Sequence, residues 1–262
     1  MIPGPVGHHC PTCVAEARSE YRRGPGRGSI RSSAAGLPVT RALIGILLAV
    51  FALEVLKGGA GSLLDGPSAD ILARMGGSVG VFIAQGQYWR LFTPMFLHAG
   101  LLHLGFNAYA LWIFGSMLEP DIGSWRFLVV YFVTGLAAAA ASYAFLDPQT
   151  VGIGASGAIF GIFGVFLVYN YRRRNNPLAA ARLRTGLVLL AINAVLGFAI
   201  AGIDWRAHVG GLVAGIVAGF AVDARGSASA RRSAFVAGMA LILVATVGLV
   251  VWRTGQLRAL GA

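Results

Sequence analysis

Of the polar residues inside strongly apolar runs of this 262-residue sequence, four could do chemistry together: His103, Asn107, Ser156 and His208. A serine hydroxyl becomes a nucleophile when an imidazole within hydrogen-bond reach takes its proton. Ser156 and His208 thus offer a hydroxyl and a base, with His103 and Asn107 as further polar groups in the same apolar surroundings. Singly, each has an ordinary reading. A serine in a membrane helix commonly bonds a carbonyl one turn back, a histidine near a helix end is often interfacial, and an asparagine can join two helices.

The surrounding glycines favour the joint reading. Ser156 lies in "GIGASGAIFG", with Gly154 and Gly157 beside it and Gly161 one turn on; "AHVGGLVAGIVAGF" sets Gly211, Gly215 and Gly219 four apart behind His208. Small residues at that spacing let two helix backbones approach closely, which brings the Ser156 hydroxyl towards the His208 imidazole. The nucleophile elbow of soluble hydrolases is not expected, because Ala158 stands at its last position and no strand–turn–helix context is read there. Asp204 precedes His208 by one turn, but nothing in the sequence aims it at the imidazole. A Ser–His dyad is the simpler expectation.

The elements that must position these residues are membrane helices. The chain is 56% hydrophobic and 12% charged, with mean hydropathy +0.72, whereas soluble domains carry about 25% charged residues. An all-α, polytopic bundle follows. Apolar runs long enough to cross a bilayer fall at about 39–56, 100–118, 127–145, 152–171, 186–202, 206–223 and 234–252. The segment 58–99, semi-apolar yet broken by Gly86 and Pro94, suits a re-entrant or interfacial loop buried in protein.

The net charge of +11 is carried between apolar runs rather than among aromatics, which argues against nucleic acid as a partner and for loops retained in the cytoplasm. With the N-terminus inside, only Lys57, Arg74, Arg90, Arg206, Arg253 and Arg258 of the 21 basic residues fall outside. The N-terminus is therefore expected in the cytoplasm and the C-terminus outside. The Ala/Gly/Arg-rich usage, with Lys57 the only lysine, is associated with a GC-rich bacterial genome, so a bacterial inner membrane is expected. In that orientation the second, fourth and sixth spans all enter from the outer face, and the four polar residues share one depth about one turn in.

Three segments are expected: a cytoplasmic, disordered tail over 1–37, a catalytic core over 38–225, and a linker with the seventh span over 226–262. No signal peptide is read in the polar, Arg-rich start. "HHCPTC" gives Cys10 and Cys13 the spacing of half a zinc site beside His8 and His9, but a closed site needs four ligands and no second pair occurs. A remnant of a zinc ribbon, or a missing upstream half, fits better than a working metal site.

The motifs together resemble the rhomboid family of intramembrane serine proteases, over residues 40–223. "YWRLFTPMFLHAGLLHLGFNAYALWIFGSMLEP" is similar to its Trp-Arg loop followed by an H-x-x-x-N span, "GASGAIFG" to its nucleophile motif and "AHVGGLVAG" to its base motif. The resemblance implies a six-helix core plus one extra C-terminal span, with Ser156 as nucleophile and His208 as general base. His103, Asn107 and the Ser156 backbone N–H would form the oxyanion hole. Trp89 and Arg90 would anchor the membrane-embedded loop, and Glu119 would be structural at the inner end of the second span. Phe160 stands where some members carry a tyrosine that packs on the catalytic histidine. The implied substrates are single-span membrane proteins cleaved near the outer face, with span five as a lateral gate and the short connection before His208 as a cap. No cofactor is called for, and the oligomeric state is not legible. The rivals are an inactive relative that binds membrane clients and a histidine-based haem or quinone carrier.

Overall fold

In a computed structural model of the chain, residues 2–4, 7–10, 36–200 and 202–261 are described. They belong to two units, Met1–Gly36 and Leu37–Ala262. Within the first, β1 (Ile2–Gly4) pairs antiparallel with β2 (Gly7–His9). Cys10 is exposed; Cys13 and most of the expected tail lie outside the described residues.

The second unit is helical and built around what the apolar runs demand. After α1 (Pro38–Gly58) the loop folds into short pieces: α2 (Ser62–Asp65), α3 (Ala69–Arg74), β3 (Ser78–Val79), α4 (Gly80–Ala84) and two 3₁₀ turns, Tyr88–Leu91 and Thr93–Phe96. Then come α5 (Leu101–Ile122), α6 (Ser124–Phe145), β4 (Val151–Gly152), α7 (Ser156–Tyr171), α8 (Pro177–Ala199), α9 (Trp205–Val222) and α10 (Ala228–Ala259). Six of these helices are long and apolar enough to cross a membrane, and α7 is a shorter apolar helix of 16 residues. At 1.5 Å per residue α7 is only about 24 Å long, less than the ~30 Å hydrocarbon core.

Three boundaries differ from the hydropathy reading, each for a local reason. The fourth span begins at Ser156 instead of 152, because Val151 and Gly152 pair antiparallel with Val79 and Ser78 of the loop. Gly154 then turns the chain at φ +117°, a conformation that glycine alone adopts readily, while its N–H donates to the Pro94 carbonyl at 2.8 Å. A short strand and a turn therefore do precede Ser156, which corrects the expectation that no such context exists. The fifth span starts at Pro177 instead of 186, since Asn176 Oδ1 accepts from the N–H groups of Leu178 and Ala179 and Pro177 fits the first turn. The last helix runs 32 residues, beyond 234–252, from a Ser227 cap.

Side chains lock the ends to one another. Glu119 of α5 accepts from the backbone N–H groups of Val39 and Thr40 at 3.0 and 2.9 Å, capping α1 from another helix, and also from the hydroxyls of Thr40 and Ser124. Arg90 is buried and donates to the carbonyls of Ala73 and Gly77 at 2.6 and 2.8 Å and to Gln87 Oε1 at 2.7 Å, with its guanidinium 4.5 Å from the half-exposed Trp89 ring. Those bonds stitch the loop to itself. At the far end of α10, Arg258 Nε donates to the Ala84 carbonyl at 2.8 Å, and Thr254 meets the Tyr143 hydroxyl at 2.9 Å. The core is apolar and centred on α7, with Leu111, Phe127, Tyr131 and Ile162 fully buried. Leu102, Phe106, Val195 and Val244 stay exposed on the outer surface of the bundle, as lipid-facing positions do.

Candidate active site

Ser156 is the first residue of α7 and His208 the fourth of α9. Their side chains meet, with His208 Nε2 2.9 Å from Ser156 Oγ. The contact exists because the two helices touch backbone to backbone. A Cβ on Gly211 would run into the Gly157 carbonyl oxygen, and one on Gly215 into the Gly161 carbonyl oxygen. Gly157 lies against Ala138 of α6 at 2.6 Å by the same measure, and Gly161 against Thr134. Any side chain at these positions would wedge α7, α9 and α6 apart.

The imidazole is held on its face. The Phe160 ring lies 4.2 Å from that of His208, 9° from parallel, one turn below Ser156. With Nε2 turned to the serine, the proton of neutral His208 belongs on Nδ1, which is buried and has no partner among the described residues. Asp204 does not supply one. Its Oδ1 accepts from the N–H groups of Arg206 and Ala207 at 3.1 and 3.2 Å, and its Oδ2 accepts from the Ser142 hydroxyl. It caps α9 and ties that cap to α6, so the geometry is that of a two-residue pair.

The third residue of α5, His103, comes to the same place. Its Nδ1 accepts the Ala99 N–H at 3.1 Å, which leaves the proton of the neutral ring on Nε2. The position a Cβ would take on Gly154 lies 3.0 Å from His103 Nε2 and 3.7 Å from Ser156 Oγ. Asn107 is buried one turn below and uses one amide hydrogen on the His103 carbonyl at 2.9 Å, with a second left to give. The first N–H groups of α7 have no partner inside their own helix and point the positive end of its dipole the same way. His103 of α5 and the start of α7 therefore come together beside the hydroxyl, with Asn107 one turn deeper on α5.

Of the residues read from the sequence, Ser156, His208, His103, Gly154, Gly157, Phe160, Gly161, Gly211 and Gly215 are brought together at this end of the bundle, with Asn107 one turn deeper. Trp89 and Arg90 lie in the loop, and Glu119 at the opposite end of α5. Two neighbours were missed. Glu54 of α1 is fully buried and accepts the His98 N–H at 2.9 Å. Burial, and secondarily the nearby His103, pushes His98 down to about 3, so its ring is neutral and its Nδ1 donates to the Phe96 carbonyl at 3.2 Å. A lone acidic residue inside an apolar run was the signal for Glu54.

The model of the Rhomboid domain family matches residues 85–225. The chain is 36% identical over 183 residues to Rhomboid protease GluP of Bacillus subtilis (strain 168), covering 70% of this chain and 34% of that protein. It is 38% identical over 138 residues to the Putative rhomboid protease YdcA of the same organism, covering 53% and 69% respectively. RHOMBOID-like protein 6, mitochondrial, of Arabidopsis thaliana is 36% identical over 159 residues, 59% of this chain and 50% of that protein. The chain thus spans about a third of the length of the first of these relatives and half of the third.

Proposed function

Since the chain belongs to the rhomboid family, we propose that it is an intramembrane serine endopeptidase that cleaves single-span membrane proteins near the outer face of the bilayer. The observation that carries this reading is the 2.9 Å approach of His208 Nε2 to Ser156 Oγ across a glycine-lined helix seam. A seam without side chains is an unusual place for two polar groups unless they work together.

In the proposed reaction His208 Nε2 takes the Ser156 proton as Oγ attacks the scissile carbonyl carbon. The carbonyl oxygen gains the charge and is met by the His103 Nε2–H, the free Asn107 amide hydrogen and the Ser156 backbone N–H, donors already aimed before charge appears. Collapse of the tetrahedral intermediate breaks the C–N bond, and His208 returns its proton to the leaving amine. Water, activated by the same imidazole, then releases the acyl group and restores Ser156. The half-burial of Ser156, His103 and His208 leaves a route for that water from the outer face. A substrate helix must unwind locally, because a helical carbonyl is engaged in its own ladder. The N-terminus is proposed to be cytoplasmic in a bacterial inner membrane, on the arginine distribution. The core over 38–225 is proposed as the catalytic unit, with α10 as the added span.

Cleavage of a single-span reporter in liposomes tests the reading. Ser156→Ala and His208→Ala are each expected to lower kcat by about 10⁴-fold or more while the folded fraction is unchanged. Cleavage that survives Ser156→Ala sinks the serine mechanism. A wild type silent across several reporters, yet able to retain them, points instead to a client-binding relative.

A further inference from the structure

Glu54 lies one turn from the end of α1 with its side chain fully buried. Burying a carboxyl in a membrane helix is expensive, and such groups face partners or function. Its Oε1 accepts the His98 N–H at 2.9 Å, while its Oε2 has no partner among the described residues. The grip therefore falls on the backbone of the four-residue stretch that leads into α5. That stretch is held at two more points, one to the 3₁₀ turn before it and one to the first turn of α5. The His98 ring donates to the Phe96 carbonyl at 3.2 Å, and the Ala99 N–H donates to His103 Nδ1 at 3.1 Å. The His98 and His103 rings meet edge to face at 5.1 Å.

Following these bonds outward from α1 ends at the site. Glu54 holds the His98 N–H, the adjoining peptide carries the Ala99 N–H, and that N–H decides which nitrogen of His103 bears the proton. With Nδ1 engaged as an acceptor, Nε2–H is the donor that faces Gly154 and Ser156. We propose that Glu54 is a positioning residue: by fixing the Leu97–His98 peptide, next to the one that carries the Ala99 N–H, it sets the tautomer and the aim of His103. The inference rests on the reading of His103 as an oxyanion donor. A tautomer reversed at Nδ1 would present a lone pair to the developing negative charge and repel it.

The test uses the full chain in liposomes with the single-span reporter. Glu54→Leu removes the acceptor, whereas Glu54→Gln keeps an oxygen for the His98 N–H. The leucine variant is expected to lower kcat by about 10- to 100-fold with KM changed less than about twofold, as a misplaced donor does. The glutamine variant is expected to stay within about threefold of wild type. In ¹⁵N imidazole spectra, with the His103 signal assigned by its loss in His103→Ala, the leucine variant alone should shift from the Nε2–H form towards a mixture. On a His103→Ala background, Glu54→Leu should add nothing further. Should the leucine protein fail to fold, Glu54→Met keeps side-chain length and apolar packing and is read in the same way. Additive losses in the double variant, an unmoved tautomer, or a leucine variant with wild-type kcat overturns the role of Glu54 alone. If His103→Ala cleaves normally while Ser156→Ala does not, the assignment of His103 itself fails and this proposal falls with it.

Discussion

Both α9 and α8 flank α7, but they meet it with different atoms. Gly211 and Gly215 of α9 press on the Gly157 and Gly161 carbonyls, and the position of a Cβ on Gly164 falls 2.8 Å from the Gly215 carbonyl carbon, so backbone faces backbone. Gly186 of α8 instead faces side-chain ends: a Cβ there would lie 2.9 Å from Leu167 Cδ2 and 3.2 Å from Phe166 Cε1. The burial follows suit. Only 11% of the apolar stretch of α8 is buried, against 61% for α6, and Leu187, Val188, Ile192 and Val195 face outward. Backbone cannot yield without moving a helix, whereas a leucine methyl can turn. The difference separates a rigid side of the site, which sets the Ser156–His208 distance, from a compliant side that meets α7 through side-chain ends.

The sharpest way to break that contrast is the same substitution on both sides. Gly215→Ala forces α9 off α7 and is expected to destabilise by about 1–3 kcal/mol and to lower kcat at least about 100-fold, since the serine and its base separate. Thermal melts and reporter cleavage measure both, and wild-type activity in a stable variant would show that the seam does not set the site. Next in size is Phe160→Leu. A stacked aromatic pair contributes about 0.5–1.5 kcal/mol, so the variant should lose about that much stability, and with the imidazole no longer held on its face kcat should fall up to about tenfold. A larger loss of stability than of rate would make the ring a packing element only.

Gly186→Ala should go the other way. An alanine in a helix interior is favoured over glycine by about 1 kcal/mol, and the Leu167 tip can shift, so the variant should be equal to or more stable than wild type and remain active. If it behaves like Gly215→Ala, the two flanks are not different in kind. The smallest change expected is for Ile192→Ala, on the outward face of α8, within about 0.5 kcal/mol of wild type. A cooperative loss of fold there would mean that α8 is held by something other than the contacts described.

Much of this was legible because a membrane makes polar residues conspicuous. Ser156, His103 and His208 stand out from apolar runs and share a depth, and the four-residue spacing of Gly211, Gly215 and Gly219 forecast a close helix contact that Gly157 and Gly161 receive. What hydropathy could not register is where a run stops being helical. Val151–Gly154 is as apolar as a helix, yet it is drawn into extended form by Ser78–Val79 and Pro94, residues some sixty to seventy positions away. Pro177 and Asn176 carried a readable start signal for α8 that the neighbouring arginines obscured. Glu54 needed no structure to be noticed; only its partner, the backbone of His98, did.

The cap at Asp204 bears on how motion could travel through the molecule. The chain leaves α8 at Ala199 and reaches α9 through a short connection in which Gly202 has φ +93°. Before that chain arrives at His208 it passes a carboxylate bonded to two backbone N–H groups of α9 and to Ser142 of α6. The start of α9 is therefore tied to α6 by its own cap, while only a short glycine-containing connection joins it to α8. A displacement of α8 would then be expected to leave the base in register with its serine.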